Sequence, residues 1–220
     1  MPRQFAVIGM GRFGASLASE LFKEGAEVLA IDIDEKMLNE NAQHVTHSVV
    51  ADASDENILK ELGIRNMDVV VVAIGDDIQA SIMTVLALKE FGVKHIVAKA
   101  VTEKHAKVLT QVGADQVVFP ERETGVRIAK NLLTPNIVDF IELSEEYSIE
   151  EIIASEFMVG KSLSELDIRA KYQISVIAIN SDGKMNISPL PNYLIKQSDI
   201  LIVIGEKIKL KKFSNKYQLI

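Results

Sequence analysis

The sequence predicts an α/β protein in which a doubly wound parallel sheet is joined by a crossover helix to a small α+β domain. Over the first 120 residues, short runs rich in Val, Ile and Ala alternate about six times with longer segments of helical period. Several runs are apolar on consecutive residues, which is typical of parallel strands buried on both faces. A glycine-rich loop follows the first run, and several helical segments stop at a glycine.

The elements of the first half follow from these patterns. Strands are predicted where the apolar runs lie, and helices where apolar residues recur at helical spacing. The predicted strands are Phe5–Ile8, Val28–Ile31, Ser48–Val50, Val69–Ile74, Ile96–Ala98 and Gln116–Phe119. The predicted helices are Arg12–Glu24, Glu35–Ala42, Glu56–Leu62, Ile78–Phe91 and Glu103–Val112, and glycines that stop them are Gly25, Gly63, Gly92 and Gly113.

The pattern changes after Pro120, and this change divides the chain. Glu121–Leu133 has the period of one more amphipathic helix, and Thr134-Pro135-Asn136 breaks it. We therefore expect an N-terminal domain at 1–134, including a crossover helix at 121–134, and a C-terminal domain at 137–220. In the latter, Ser162–Tyr172 is predicted to be helical, with Ser162 and Glu165 forming a capping box. The predicted strands of this domain are Val138–Leu143, Ser148–Ile153, Ile174–Ile179 and Ile200–Ile204, with a hairpin turn at 180–183.

Composition excludes several classes of protein. The net charge is −7 with no long basic block, which disfavours binding that tracks the phosphates of a nucleic acid. The absence of cysteine rules out disulfides and thiolate metal sites and fits a reducing cytosol. The longest apolar run, Val69–Gly75, is far shorter than the ~20 residues of a membrane-spanning helix. The N-terminus also lacks signal-peptide architecture, so we expect a soluble, cytoplasmic protein that is not itself a channel.

One motif carries ligand chemistry: Gly9-Met10-Gly11-Arg12-Phe13-Gly14 follows the first strand and opens the first helix. In a GxGxxG loop the first glycine allows the tight turn and the second lets the backbone approach a phosphate. The third lets helix and sheet pack closely. Because the motif lies in a strand–helix–strand unit, it predicts a Rossmann-like nucleotide site. The alternative is a glycine turn kept for packing alone.

An acidic partner accompanies the motif. Asp32 ends the second strand, twenty-one residues past Gly11, where a carboxylate accepts hydrogen bonds from ribose hydroxyls and repels a 2′-phosphate. NADP is therefore disfavoured. Arg12 adds a guanidinium for further phosphate charge and favours ADP or ATP over NAD, unless it is a solvated side chain at a helix start.

Other candidates lie at the carboxyl ends of the later strands, where ligands bind in this fold. Asp52 could reach the base and Lys99 a phosphate, or both could serve only the solubility of their loops. The candidates at these ends are Asp52, Ala53, Gly75, Asp76 and Lys99.

Catalytic candidates are sparse, so we expect no enzyme. The four histidines belong to no recognisable triad or HExxH motif and are expected at the surface or in the core. A dehydrogenase would also need a second domain that brings an acid–base residue to the nicotinamide. The residues after Pro135 show no such constellation.

Taken together, the motifs resemble the RCK or KTN domains that regulate potassium channels and transporters. The matching stretches are GMGRFG at 9–14, the acid at Asp32, VADASDE at 50–56, VVVAIGDD at 70–77 and GADQVVFPE at 113–121. The second half, from Ser162 to Gly205, resembles the RCK C-terminal domain. The single copy without a membrane span is similar to the free-standing gating subunits of Ktr-type potassium uptake systems.

The resemblance implies a cytoplasmic subunit, peripheral at the inner face of the membrane. Dimers would assemble into an octameric ring docked beneath a membrane potassium-transporting subunit. ATP and ADP would compete for the N-terminal site, with Arg12 reading the phosphates, Asp32 the ribose and Asp52 the adenine. Glu121 is similar to the family's ligand for a divalent cation, Mg²⁺ or Ca²⁺, near a subunit interface. As an acid in the first turn of a helix, it could instead serve the helix dipole alone.

The resemblance also implies a second ligand, cyclic di-AMP, at the dimer interface of the C-terminal domain. Arg169 would meet a phosphate there, and Ile168, Ile174 and Pro191 would offer apolar surface to the bases. The implied positions are Ile168, Arg169, Ala170, Ile174 and Pro191. A lone arginine on a helix is otherwise solvated.

Two alternatives stay open. One is a Trk-type regulator of potassium transport that senses NAD(H), which only relative affinities for NADH and ATP would separate from a Ktr-type subunit. The other is an NAD-dependent oxidoreductase, which the missing catalytic domain disfavours.

Overall fold

A computed structural model describes residues 2–133 and 137–216 of the chain. It divides into two compact units, Met1–Glu123 and Thr124–Ile220. The division falls in the first turn of the crossover helix, whereas the expected bounds keep that helix with the N-terminal domain. Those bounds stay a prediction, because the expected break at Thr134-Pro135-Asn136 lies outside the described residues.

The first unit holds a six-stranded parallel sheet. Its strands are β1 (Gln4–Ile8), β2 (Glu27–Asp32), β3 (His47–Val50), β4 (Val69–Val72), β5 (Ile96–Lys99) and β6 (Gln116–Val118). Its helices are α1 (Arg12–Lys23), α2 (Glu35–Asn41), α3 (Glu56–Glu61), α4 (Ile78–Glu90), α5 (Glu103–Val112) and the start of α6 (Pro120–Leu133). The strand order is β3-β2-β1-β4-β5-β6. This order confirms the doubly wound sheet and places its ligand crevice between β1 and β4, where the order reverses.

The central strands β1 and β4 are buried on both faces of the sheet, which explains their consecutive apolar residues. On β1, Ala6 and Ile8 join one buried cluster, which packs with Leu59 of α3 and Leu88 of α4. Val7 points the other way, into a cluster with residues of α1 and α2. Every residue of β4 is buried for the same reason.

The second unit is a small α+β domain, as predicted. Its elements are β7 (Ile137–Glu142), β8 (Tyr147–Ile153), α7 (Leu163–Leu166), α8 (Ile168–Tyr172), β9 (Ser175–Ser181), β10 (Lys184–Ile187), β11 (Ile200–Glu206) and α9 (Lys207–Lys216). The five strands pair antiparallel in the order β10-β9-β11-β8-β7. Helix α9 supplies Leu210 and Phe213 to the core of this unit. The lysine-rich segment Lys207–Lys216 is therefore an amphipathic helix.

The single helix predicted over Ser162–Tyr172 is wrong. The capping box at Ser162 and Glu165 is present, but α7 ends after one turn. Asp167 adopts a left-handed conformation with φ of 47°, and the Lys171 ammonium donates to the Leu166 carbonyl at 3.0 Å, so that it caps the end of α7. The turn lets Leu166 and Ile168 both enter the core. No glycine or proline announces this break in the sequence.

Along the described residues, no helix combines the length and the apolar character needed to cross a bilayer.

His105 is a buried titratable group in the first unit. It is 3% exposed on α5, its Nδ1 faces the Val101 N–H at 3.5 Å, and its Nε2 has no hydrogen-bond partner among the described residues. Burial lowers the pKa of His105 from its ordinary value of 6.5, because the charged imidazolium is poorly solvated there. The unfolded chain therefore binds a proton at a higher pH than the folded chain does.

We expect stability to fall as the pH drops from 7.5 through the ordinary histidine range, because protonation favours the unfolded state. His105→Gln should flatten this fall in urea midpoints measured between about pH 7.5 and pH 5.5. The control His47→Gln, at an exposed position on the edge strand β3, should keep the wild-type slope. Equal slopes in all three proteins would contradict this role of His105.

Candidate functional site

The glycine-rich loop makes a tight turn between β1 and α1. Gly9 has a φ of +96°, a conformation that side chains disfavour. A Cβ atom added at Gly14 would lie 1.9 Å from the Gly9 carbonyl oxygen and 3.2 Å from the Ala73 Cβ. Gly9 and Gly14 thus have the turn and packing roles that the spacing predicts.

Gly11 differs from its neighbours because nothing crowds it. Its backbone is extended, and an added Cβ would meet no atom within 4 Å. Gly11 is also the N-cap of α1, so no side chain caps this helix, whereas side chains at the N-caps of α2, α3, α4 and α5 accept backbone hydrogen bonds. The first turn of α1 therefore offers N–H groups and a positive dipole end to an anion.

Asp32 has a role that the sequence does not reveal. Its Oδ2 accepts a hydrogen bond from the Met10 N–H at 2.5 Å, and its Oδ1 accepts one from the Asp34 N–H at 2.9 Å. The carboxylate that is predicted to bind ribose therefore also holds the glycine-rich loop against the end of β2. Each oxygen retains a further lone pair for a ligand hydroxyl.

A pocket of about 420 Å³ opens at the switch point. It brings together seven of the predicted positions: Gly9, Gly11, Asp32, Asp52, Ala53, Gly75 and Asp76. Ile33, which is 73% exposed, and Met37 add apolar surface that the sequence analysis did not assign. Four predicted positions lie outside the lining: Arg12, Phe13, Gly14 and Lys99. Of these, Phe13 packs on the cluster under α1 and α2.

Asp52 is held as a carboxylate at the pocket wall. It accepts hydrogen bonds from the Ser54 hydroxyl at 2.7 Å and the Ser54 N–H at 2.9 Å. These two bonds, the hydroxyl first, lower the pKa of Asp52 below its ordinary value. An ionised acceptor at this position suits the exocyclic amine of a purine.

Lys99 and Glu121 form an ion pair beside the pocket. The Lys99 Nζ lies 2.7 Å from the Glu121 Oε1. The hydrogen bond from Lys99 is the largest cause that lowers the pKa of Glu121, and the positive charge of Arg12 contributes as well. The two predicted phosphate contacts, Arg12 and Lys99, therefore both act on the Glu121 carboxylate.

Around Glu121, the described residues of a single chain do not form a metal site. The described residues contain no group of three His, Asp or Glu side chains that could hold one. Glu121 supplies one carboxylate, which accepts a hydrogen bond from the Lys99 ammonium. Divalent cations of the Mg²⁺ or Ca²⁺ type need more oxygen ligands than this.

A second pocket, of about 260 Å³, lies in the second unit. Four of the predicted positions line it: Ile168, Arg169, Ile174 and Pro191. Ala170 is exposed on the same helix but does not line it. Ile168 and Ile174 are only 3% and 1% exposed, so their side chains fill the core and offer a base little surface.

The wall of this second pocket is fixed by backbone hydrogen bonds. The Ser164 N–H donates to the Pro191 carbonyl at 2.8 Å, and the Leu163 N–H donates to the Tyr193 carbonyl at 3.1 Å. The Tyr193 hydroxyl in turn donates to the buried Asp199 carboxylate at 3.0 Å. The loop that carries Pro191 is therefore tied to the start of α7.

Family models match both halves of the chain. The TrkA-N domain model matches residues 5–120, and the TrkA-C domain model matches residues 149–217. Ktr system potassium uptake protein C of Bacillus subtilis (strain 168) is 50% identical over 216 residues, which cover 98% of each chain. Ktr system potassium uptake protein A of the same organism is 46% identical over 213 residues, which cover 97% of this chain and 96% of the relative.

Solved structures show the same fold. The GsuK channel bound to NAD aligns with a TM-score of 0.54 at 25% identity, covering 97% of this chain and 38% of that one. GsuK bound to ADP aligns with a TM-score of 0.52 at 30% identity, covering 60% of this chain and 34% of that one. The chain thus spans well under half the length of these GsuK chains.

The two loop glycines allow a matched test of binding against folding. Gly11→Ala meets no atom and should leave the urea midpoint unchanged, yet its methyl group should weaken ATP binding about tenfold or more by blocking the backbone approach. Gly14→Ala clashes with the Gly9 carbonyl and should unfold the first unit or destabilise it by several kcal/mol. Calorimetry and urea denaturation measure the two effects. Full ATP affinity in Gly11→Ala would contradict a phosphate at this position.

Proposed function

The chain belongs to the Ktr/Trk family of potassium uptake proteins with RCK domains, and from this we propose that it is a cytoplasmic regulatory subunit that gates a membrane potassium transporter by binding ATP or ADP. The observation that carries the proposal is the uncapped start of α1 beside Arg12. A cation at the N-terminus of a helix opposes the dipole, and a bound anion relieves this conflict.

The charges along the pocket are complementary to the successive parts of a nucleotide. Its α1 end is electropositive and suits phosphates, whereas Asp32 and Asp52 suit the ribose hydroxyls and the base. The exposed Ile33 and Met37 provide apolar surface for a purine face. A GsuK structure with ADP, similar over 60% of this chain, supports an adenine nucleotide.

Gating requires a difference in affinity rather than a reaction. A nucleotide shifts a conformational equilibrium only by as much as it binds one state better than the other. The γ-phosphate gives ATP an additional charge that ADP lacks, and Arg12 registers it, from the same chain or from a neighbouring one. The conformation that binds ATP better is the one that favours potassium uptake. This mechanism involves no catalytic residue.

Assembly completes this mechanism. Dimers form an octameric ring beneath a Ktr-type membrane subunit, which holds the protein at the inner face of the membrane. Because the described residues of one chain place no group of three metal-binding side chains around Glu121, a divalent cation is bound where copies of Glu121 or a nucleotide phosphate add further oxygen ligands. The near full-length similarity to Ktr proteins C and A supports the transporter partner.

The second pocket is proposed to bind cyclic di-AMP within the C-terminal domain, at 137–220. A domain this small gains stability by dimerising, and a symmetric dimer brings two copies of Arg169 to one interface. Cyclic di-AMP has matching two-fold symmetry, with two phosphates and two purines. Pro191 and Arg169, both exposed, offer the contacts, and the buried Ile168 and Ile174 support them from below.

NAD(H) is the second candidate for the N-terminal ligand. The observation that favours it is the GsuK channel bound to NAD, similar over 97% of this chain. Asp32 serves either ligand, because both carry an adenosine ribose. Arg12 favours ATP, since NAD has no third phosphate.

We expect Arg12→Ala to narrow the difference in affinity between ATP and ADP. A charge-assisted contact contributes about 1.5–3 kcal/mol, or about tenfold or more in affinity, and only ATP presents the γ-phosphate. The control Asp32→Asn should weaken ATP, ADP and NADH alike. Titration calorimetry measures all three, and equal losses of ATP and ADP affinity in Arg12→Ala would remove Arg12 from sensing.

We expect Arg169→Ala to weaken cyclic di-AMP about tenfold or more in the full chain, because it removes a charge-assisted phosphate contact. The control Lys184→Ala removes a cation from the exposed strand β10 and should bind as wild type does. Wild-type calorimetry should give one ligand for every two chains. A stoichiometry of one ligand per chain would contradict the shared site.

A further inference from the structure

The ion pair between Lys99 and Glu121 joins two parts of the first unit. Lys99 ends β5 and its side chain is 13% exposed, whereas Glu121 lies in the first turn of α6 and its side chain is 65% exposed. Their atoms are 2.7 Å apart. The pair therefore ties the start of the crossover helix to the carboxyl edge of the sheet.

The Lys99 ammonium lies against the wall of the nucleotide pocket. A Cβ atom added at Gly75, a lining residue, would be 3.3 Å from the Lys99 Nζ and 3.6 Å from its Cε. This cation therefore lies beside the backbone of a residue that lines the cavity. A phosphate that enters the α1 end of the pocket thus approaches a lysine that already has an anionic partner.

Arg12 is part of the same electrostatic group. Its charge helps to lower the pKa of Glu121, after the hydrogen bonds that this carboxylate accepts from Lys99 and from its own N–H, and the charge of Lys99. The Glu121 carboxylate accordingly lies in the field of both cations that the sequence predicts as phosphate contacts. The Glu121 carboxylate thus occupies a position to which these two cations would otherwise attract an anionic ligand.

We propose that Glu121 is an internal counter-anion that competes with the terminal phosphate of the nucleotide for Lys99, so that phosphate binding releases the start of α6 from β5. This inference rests on the proposed nucleotide site. The release of α6 is the step by which phosphate binding at that site acts on the crossover helix.

Neighbouring contacts determine which part of the first turn of α6 is released and which part stays in place. Arg122 pairs with Glu103 at the start of α5 and lies 3.9 Å from the centre of the Phe119 ring. The Glu123 carboxylate accepts the Phe119 N–H at 3.3 Å. These contacts hold the first turn of α6 near α5, so loss of the Lys99 contact frees one side of the helix only. The released Glu121 carboxylate becomes available to a divalent cation that accompanies the nucleotide.

The decisive experiment measures nucleotide affinity without its metal. In EDTA, Glu121→Gln should bind ATP about fivefold more tightly than wild type, because the competing anion is gone, and should bind adenosine equally. Glu123→Gln is the matched control, since it removes one negative charge from the same turn but does not contact Lys99. An ATP affinity in Glu121→Gln no higher than in Glu123→Gln overturns the inference.

Lys99→Met provides a second variant and closes a double-mutant cycle. It should weaken ATP and leave adenosine unchanged, and in this background Glu121→Gln should tighten ATP by clearly less than it does alone. Additive effects overturn the competition. If wild type binds adenosine but not ATP, the inference fails, and if it binds no nucleotide at all, the proposed function fails first.

Hydrogen exchange reads the release directly. Amides in a peptide covering 119–126 should exchange faster when ATP binds wild type, whereas in Glu121→Gln they should be fast already without ATP. Unchanged exchange of this peptide in wild type on ATP binding overturns the release of α6.

Discussion

Helix α1 begins where it does because residue 14 has no side chain. A methyl group there would overlap the Gly9 carbonyl, at 1.9 Å. Without that close approach the first turn of α1 would not lie over the end of β1, and the Met10 N–H would not reach Asp32. The position of the pocket, its positive end and the carboxylate beside it all depend on this one contact between two glycines. It is a geometric constraint that no gain in packing elsewhere replaces.

The polarity of the pocket follows from how its helices begin. Asp34 and Asp77 accept hydrogen bonds from the first turns of α2 and α4, so these helices satisfy their own N-termini and add negative charge to the pocket lining. Helix α1 has glycine at that position and an arginine next to it. One end of a single cavity is thereby positive and the remainder negative. A ligand with a uniform charge matches only half of such a cavity, whereas a nucleotide matches both halves.

Sequence patterns predict those parts of the fold that depend on burial or on a backbone turn. The strands of the first unit follow from apolar residues on both faces, and Gly9 and Gly14 follow from their spacing. The break at Asp167 escapes prediction because an aspartate enters the left-handed region there without a glycine to announce it. The burial of Ile174 escapes it too, since the space for this side chain comes from Gly205 across the sheet, where a Cβ would lie 2.6 Å away.

Long-range pairing is the other part that the sequence hides. Lys99 and Glu121 are predicted separately, as a phosphate contact and as a metal ligand, and twenty-two positions separate them. Nothing in the local pattern of either segment indicates that they neutralise each other. Likewise, the sequence does not show that Asp32, the predicted ribose contact, also supports the loop. In both cases the fold adds a contact that the sequence pattern does not predict, and only the structure reveals it.

The start of α6 also bears on how this module can be exchanged between proteins. The TrkA-N match ends at residue 120, but the next three residues, Glu121, Arg122 and Glu123, all bond back to the first unit. A gene fusion that ends this domain at residue 120 would leave Lys99, whose side chain is 13% exposed, without its anionic partner. It would also remove the contacts that hold Phe119. The segment that can be exchanged as a unit is therefore the parallel sheet together with the first turn of α6. A recombined protein that keeps this turn also keeps the ion pair of Lys99 and the contacts of Phe119.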